Sequence, residues 1–213
     1  MLILPAARLI RMFGRIARDI EAEKDRLSIL DGAIGDADHG TTMALGFRSV
    51  EIALRAIDPS QATPSDVFQA AGTAFLDAVG ASTGPLYASG FLCAARILRH
   101  HPNLDASAQV AVLAAIAHGI STRGKGQRGD KTMLDAWIPA AEAGNVALRS
   151  DVAPTDLWAS IAEAAERGAE ETRSMVAVRG RATRVGQRSL GHLDPGAASA
   201  AIIIRAMQAE FGT

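Results

Sequence analysis

Apolar residues recur at three- and four-residue spacing through most of the chain. Between residues 6 and 27, Leu9, Ile10, Phe13, Ile16, Ala17 and Ile20 fall on one face with charges between them, the mark of an amphipathic helix. The same period predicts a second helix over 40–57, stopped by Asp58-Pro59, and a third from Thr63-Pro64-Ser65-Asp66 to 79, with proline in its first turn. Further helices follow from 85 to 100, 105 to 121, 132 to 148 and 153 to 178, and a last apolar one covers 196–210. Period-two alternation is nearly absent. Eight helices with short connections predict an all-α domain over residues 1–213, a barrel or bundle of eight antiparallel helices.

Composition supports this reading. Hydrophobic residues are 48% of the 213, enough for a sizeable core, while aromatics are 4% and alanine is abundant, so the core is expected to be small and aliphatic. Arg8 and Arg11 sit inside the first helical pattern, where a secretory leader would place its charge ahead of the apolar stretch. No uncharged run reaches the roughly 18 residues that a membrane span needs, so a soluble cytoplasmic protein is expected. A net charge of −1 gives no general attraction for nucleic acid or an anionic membrane, and neither is expected as a partner. Cys93 is the only cysteine, which excludes an internal disulfide and a cysteine-rich zinc site.

The polar residues gather in four glycine-bearing loops, 31–42, 80–85, 123–132 and 179–196, each preceding an even-numbered helix. In an up-down array such loops share one rim, and each points at a helix start, where unpaired N–H groups and the positive dipole end favour anions. The first loop holds Asp31, Asp36 and Asp38 within eight residues, followed by His39-Gly40-Thr41-Thr42. Carboxylates this close repel one another unless a cation compensates, and an all-oxygen set suits a hard divalent ion such as magnesium. Gly80 to Pro85 brings the hydroxyls of Ser82 and Thr83 to a helix start. The third loop, from Gly124 through Gly129-Asp130-Lys131-Thr132 to Met133, approaches a phosphate-binding P-loop. Asp130 stands between its glycine and lysine, and a helical pattern precedes it where a strand is required, so a P-loop is rejected. The fourth loop carries Arg181, whose guanidinium could fork a phosphate, and the turn Asp194-Pro195-Gly196. His192 and Cys93 read as structural. Any one loop alone could be a plain connection, and the case rests on the set.

Taken together, these segments resemble the nucleotide-binding L subunits of bacterial dihydroxyacetone kinases and the matching C-terminal domains of single-chain kinases. The resemblance rests on Ile34-Gly-Asp-Ala-Asp-His-Gly40, Gly84-Pro-Leu86, Gly129-Asp-Lys-Thr-Met133, Arg179-Gly-Arg-Ala182, Gly191-His192 and Asp194-Pro-Gly-Ala197, in the family's order from residue 30 to 197. Residues before 30 match by helical pattern only, Ala81-Ser82-Thr83 stands where Gly-Ala-Ser is usual, and Thr42 stands where asparagine is common.

The resemblance implies an eight-helix barrel with ADP or ATP at one rim. Asp31, Asp36 and Asp38 would hold two magnesium ions, and His39, Gly40, Thr41 and Thr42 would meet phosphates. Ser82, Thr83, Gly124 and Met133 would line the nucleotide site, closed by Arg181, Asp194, Pro195 and Gly196. No catalytic residue is assigned beyond Arg181 as a phosphate stabiliser. The resemblance further implies phosphoryl transfer to a short ketose held by a separate K subunit, with a phosphotransferase-system M subunit as a further partner in one mode of the family; a homodimer is compatible with it. Erythrulose as the ketose, a fatty-acid kinase module, a metal-dependent phosphohydrolase of the His-Asp type and a ligand-free helical interaction protein are the competing readings.

Overall fold

The computed structural model describes residues 4–80, 82–150 and 152–212. Ala81, in the second loop, lies outside them. The described residues form nine α-helices: α1 Pro5–Ala22, α2 Lys24–Ile34, α3 His39–Arg55, α4 Pro64–Ala78, α5 Thr83–Leu98, α6 Ala106–Gly124, α7 Leu134–Arg149, α8 Pro154–Glu171 and α9 Pro195–Phe211. Two 3-10 segments, Thr172–Ser174 and Arg181–Ser189, lie between α8 and α9, and no strand occurs among the described residues.

Helices α1 and α3 to α9 pack in chain order, and α9 returns to α1, so eight helices close a ring with α2 laid outside it against α3 and α9. Neighbours run antiparallel. Ser65 meets Ala95 while Gly72 meets Leu92, and Leu86 meets Gly124 while Gly90 meets Ile116. Gly144 meets Ile161 while Gly168 meets Asp135, and Trp158 meets Gly212 while Glu166 pairs with Arg205. The all-helical architecture and the ring therefore agree with the sequence pattern.

Caps set the helix starts. Thr63 accepts from the Asp66 N–H at 3.2 Å and Asp66 returns the bond to the Thr63 N–H at 2.9 Å, a reciprocal box with Pro64 behind it. Asp105 caps α6 and Asp194 caps α9, accepting from Ala108 and Ala197. At α7, Pro139 lacks an N–H, which frees the Asp135 carbonyl. Gly168 of α8 closes on that carbonyl so tightly that a Cβ there would lie 2.0 Å from it.

Two boundaries differ from the pattern. The helix expected over 6–27 breaks at Glu23, because α1 is buried along a full face whereas α2 buries only Leu27 and Ile34 and turns onto the surface of α3. The helix expected to reach 178 ends at Glu171. There the buried Thr172 gives its carbonyl to Lys131 and its hydroxyl oxygen to the Asp194 N–H, so the chain is captured by the loops opposite.

The core is also more aromatic than composition implies. Phe13, Phe47, Phe68, Phe75, Tyr87, Phe91 and Trp137 interlock with ring centroids 5.1–6.5 Å apart, mostly edge to face. Trp158 stacks on Phe211 at 5.3 Å. Few aromatics are present, but nearly all serve one side of the ring, while alanine-rich faces close the other. Cys93 is half-buried against this core.

Candidate functional site

All four glycine-bearing loops meet at one rim around a cleft of about 450 Å³. The starts of α3, α5, α7 and α9 face it, as the up-down argument requires. Its walls divide by chemistry. Leu86, Ile120, Met133 and Leu134 give an apolar side, and Asp31, Asp36, Asp38, Arg179 and Arg181 give a charged one.

Asp31 closes the last turn of α2, while Asp36 and Asp38 flank Ala37, which is held in the left-handed region at φ 64°. A non-glycine residue there costs on the order of 1 kcal/mol. The turn brings one carboxylate oxygen from each aspartate within 4.8 Å of the others. Asp31 Oδ2 accepts the N–H groups of Asp38 at 3.0 Å and His39 at 3.3 Å, which fixes the turn to α2. Gly35 is required for space: a Cβ on it would lie 2.3 Å from Asp31 Oδ1. Burial and the nearby Asp31 charge push the Asp38 carboxyl upward, as crowded like charges do. Against them stands Arg181, which donates to Asp38 at 2.9 Å and pairs with Asp36. Three oxygen donors at this spacing, Asp31 enclosed and Asp36 and Asp38 exposed, fit a hard divalent cation with room left for phosphate oxygens. The cluster consists of the three aspartates, with no histidine among its described members.

Of the residues singled out in the sequence, Asp31, Asp36, Asp38, His39, Ser82, Thr83, Gly124, Met133, Arg181, Asp194, Pro195 and Gly196 all line the cleft. Gly40, Thr41 and Thr42 do not. Gly40 instead lets α2 and α3 touch, since a Cβ on it would lie 1.9 Å from the Lys24 carbonyl oxygen. The Thr42 N–H is spent on the Asp38 carbonyl at 2.9 Å, while those of Gly40 and Thr41 make no hydrogen bond among the described residues. The His39 ring turns inward and meets Ser199 Oγ at 2.9 Å, and burial depresses its pKa to about 4, so the ring is neutral and joins α3 to α9.

The third loop shows why it is not a P-loop. It leaves helix α6, and the Lys131 ammonium turns away to donate to the carbonyls of Thr172 and His192, each at 2.5 Å. Lys131 is 1% exposed and its backbone is left-handed at φ 61°. Burial pulls its pKa down. Asp135 shapes the same loop by accepting from the N–H groups of Gly129 and Thr132. Asp130 binds Arg179 at 3.1 Å and so links this loop to the fourth. Burial raises the Asp194 carboxyl to about 7, opposed by the Ala197 N–H and Lys131. His192 contributes its backbone carbonyl here, and its side chain is exposed.

Lys131, Asp135, Thr172 and Ser199 also shape the site, and the sequence alone assigns them no role. Asp135 had a signal in its capping-box spacing from Thr132. The other three depend on contacts 41 to 160 residues apart, which no local pattern reports.

Residues 33–209 match the family described as the DAK2 domain. The chain is 37% identical over 198 residues to the "PEP-dependent dihydroxyacetone kinase 1, ADP-binding subunit DhaL" of Listeria innocua serovar 6a, covering 93% of each chain. It is 33% identical over 196 residues to the corresponding ADP-binding subunit of Escherichia coli strain K12, covering 92% of each. The solved dihydroxyacetone kinase from C. freundii, in complex with AMP-PNP and Mg2+, aligns with a TM-score of 0.71 at 24% identity. That alignment covers 93% of this chain and 33% of the C. freundii chain, and it establishes a common fold.

Proposed function

This chain belongs to the DAK2-domain family, and on that premise we propose that it is the ADP- or ATP-binding subunit of a dihydroxyacetone-type kinase, one domain over residues 1–213 that works with a separate ketose-binding K subunit. The observation that carries the reading is the meeting of three aspartates, Arg181 and the starts of α3 and α9 around one cleft with an apolar wall. In this reading Leu86, Ile120, Met133 and Leu134 receive the base, beside Ser82, Thr83 and Gly124. The start of α3 at His39, the first turn of α9 at Pro195-Gly196 and the guanidinium of Arg181 face the phosphates. Asp31, Asp36 and Asp38 hold magnesium, two ions by the family resemblance, which when bound offsets phosphate charge during transfer. The His39–Ser199 contact keeps the two helix starts in register.

The two relatives, both PEP-dependent kinase subunits, favour a PEP-dependent mode, in which bound ADP is rephosphorylated by an M subunit of the phosphotransferase system. No helix among the described residues is long and apolar enough to cross a membrane, in keeping with a cytoplasmic setting. The test is reconstitution. The chain is mixed with a dihydroxyacetone-loaded K subunit, and either ATP or a phosphoenolpyruvate-fed M subunit is supplied. Phosphorylated ketose should form only when all parts are present, and it should be lost with Asp36→Ala. Failure with both phosphoryl sources would contradict the reading.

A further inference from the structure

The three carboxylates are not bare: the contact that compensates them comes from a residue more than a hundred positions away. Arg181 reaches Asp38 at 2.9 Å and also pairs with Asp36, inside the cluster that would hold a cation. It stands at the head of the 3-10 segment Arg181–Ser189, flanked by Gly180 at φ 67° and followed by Gly186 at φ 55°. A Cβ at either glycine would meet nothing within 4 Å, so conformation and not space calls for glycine there. Among the described residues, the Arg181 contacts are the only hydrogen bonds or ion pairs that tie residues 180–188 to anything beyond the adjacent Ser189 and Leu190. On either side the chain is anchored, by Arg179 to Asp130 and by Ser189 to Ala177. A short segment with two permissive hinges is thus fastened at its head by one guanidinium.

We propose that Arg181 is a resident counter-cation of the aspartate cluster and makes divalent-metal binding conditional on the nucleotide. The inference rests on the magnesium–nucleotide reading above. A divalent ion arriving alone must displace the guanidinium from Asp36 and Asp38, leaving Arg181 without those partners and residues 180–188 untied at their head. An ion arriving with a nucleotide offers phosphate oxygens to the freed guanidinium, a geometry that its planar fork suits. The two ligands therefore bind with positive coupling, each strengthening the other by the same factor. Arg181 is a positioning residue in this role, distinct from any part it plays in phosphoryl transfer.

The experiment measures Mn2+ binding to the intact chain by electron paramagnetic resonance, without and with ADP. The proteins compared are wild type, Arg181→Gln, Arg181→Lys and Arg184→Gln. Arg184 is exposed on the same segment and makes no ion pair among the described residues, so Arg184→Gln repeats the change in net charge without the contact. Without ADP, Arg181→Gln should bind Mn2+ about five- to tenfold more tightly than wild type, the size set by its two exposed ion pairs, to Asp36 and Asp38, taken together. Arg184→Gln should stay within twofold, and Arg181→Lys should restore part of the effect. The gain in Mn2+ affinity caused by ADP should be smaller in Arg181→Gln than in wild type. Trypsin supplies a second readout: Mn2+ alone should speed cleavage within residues 181–188, and Mn2+ with ADP should slow it again. Equal Mn2+ affinity in wild type and Arg181→Gln, with Mn2+–ADP still binding wild type, would overturn the counter-cation role and leave the proposed function standing. Absence of Mn2+ binding in every protein, with or without ADP, would overturn both.

Discussion

Lys131→Met is the perturbation whose outcome the structure fixes most closely. Methionine keeps the length of the apolar stem of this residue, which is 1% exposed, and removes the ammonium that donates to the carbonyls of Thr172 and His192. Hydrogen bonds from a charged donor contribute about 1.5–3 kcal/mol each, and two are lost. Against this, a buried ammonium carries a desolvation cost, seen in the lowered Lys131 pKa, and methionine removes it. The two carbonyls left without donors dominate, so the net loss should be about 2–4 kcal/mol. For a domain of this size each kcal/mol lowers the Tm by about 2–4 °C, so the drop should be roughly 4–16 °C. Thermal and urea unfolding of the ligand-free protein provide the assay, with the midpoint falling and the urea slope unchanged. Nucleotide affinity should fall too, because Lys131 holds the loop before Met133 against the loop before Gly196. A Tm within 2 °C of wild type together with lost nucleotide binding would refute the reasoning, since Lys131 would then serve the ligand directly.

Three other outcomes follow from local geometry. Gly35→Ala sets a Cβ against Asp31 Oδ1 and should weaken Mn2+ binding at least severalfold with little change in ligand-free Tm, as calorimetry can check. Gly168→Ala drives a Cβ into the Asp135 carbonyl between α7 and α8 and should cost about 1–3 kcal/mol in urea unfolding. Asp194 has its pKa raised to about 7, so the folded state holds its proton more firmly than the unfolded state does. Its contribution to stability is then most favourable near pH 4 and is lost as pH rises to 7, by roughly 4 kcal/mol at most. The stability difference between wild type and Asp194→Asn, which keeps the cap, should shift in favour of the variant over that window; a pH-independent difference would count against the buried carboxyl.

What the sequence made legible was whatever repeats or is spaced locally. Helix periods, proline and threonine starts and the 31–36–38 aspartate spacing are properties of neighbouring residues, and apart from the boundaries at Glu23 and Glu171 the structure returns them. The convergence of four loops followed from helix parity alone. Contacts distant in sequence were not legible: Lys131 to Thr172, His39 to Ser199 and Arg181 to Asp38 have no local pattern. The break at Glu23 escaped for a related reason, because apolar spacing continues through it while the burial behind that spacing does not. Gly40 was legible as a motif residue, but its tight packing on Lys24 depends on how α2 folds back.

The central claim is that the aspartate cluster binds nucleotide through a divalent cation. Titration calorimetry of the nucleotide-free chain with ADP, in magnesium and then in EDTA, beside Asp36→Ala, tests it most directly. Binding in magnesium that is abolished by EDTA and by Asp36→Ala is the predicted result. ADP binding that is indifferent to both, or no binding by a chain confirmed to be folded and free of nucleotide, would contradict it.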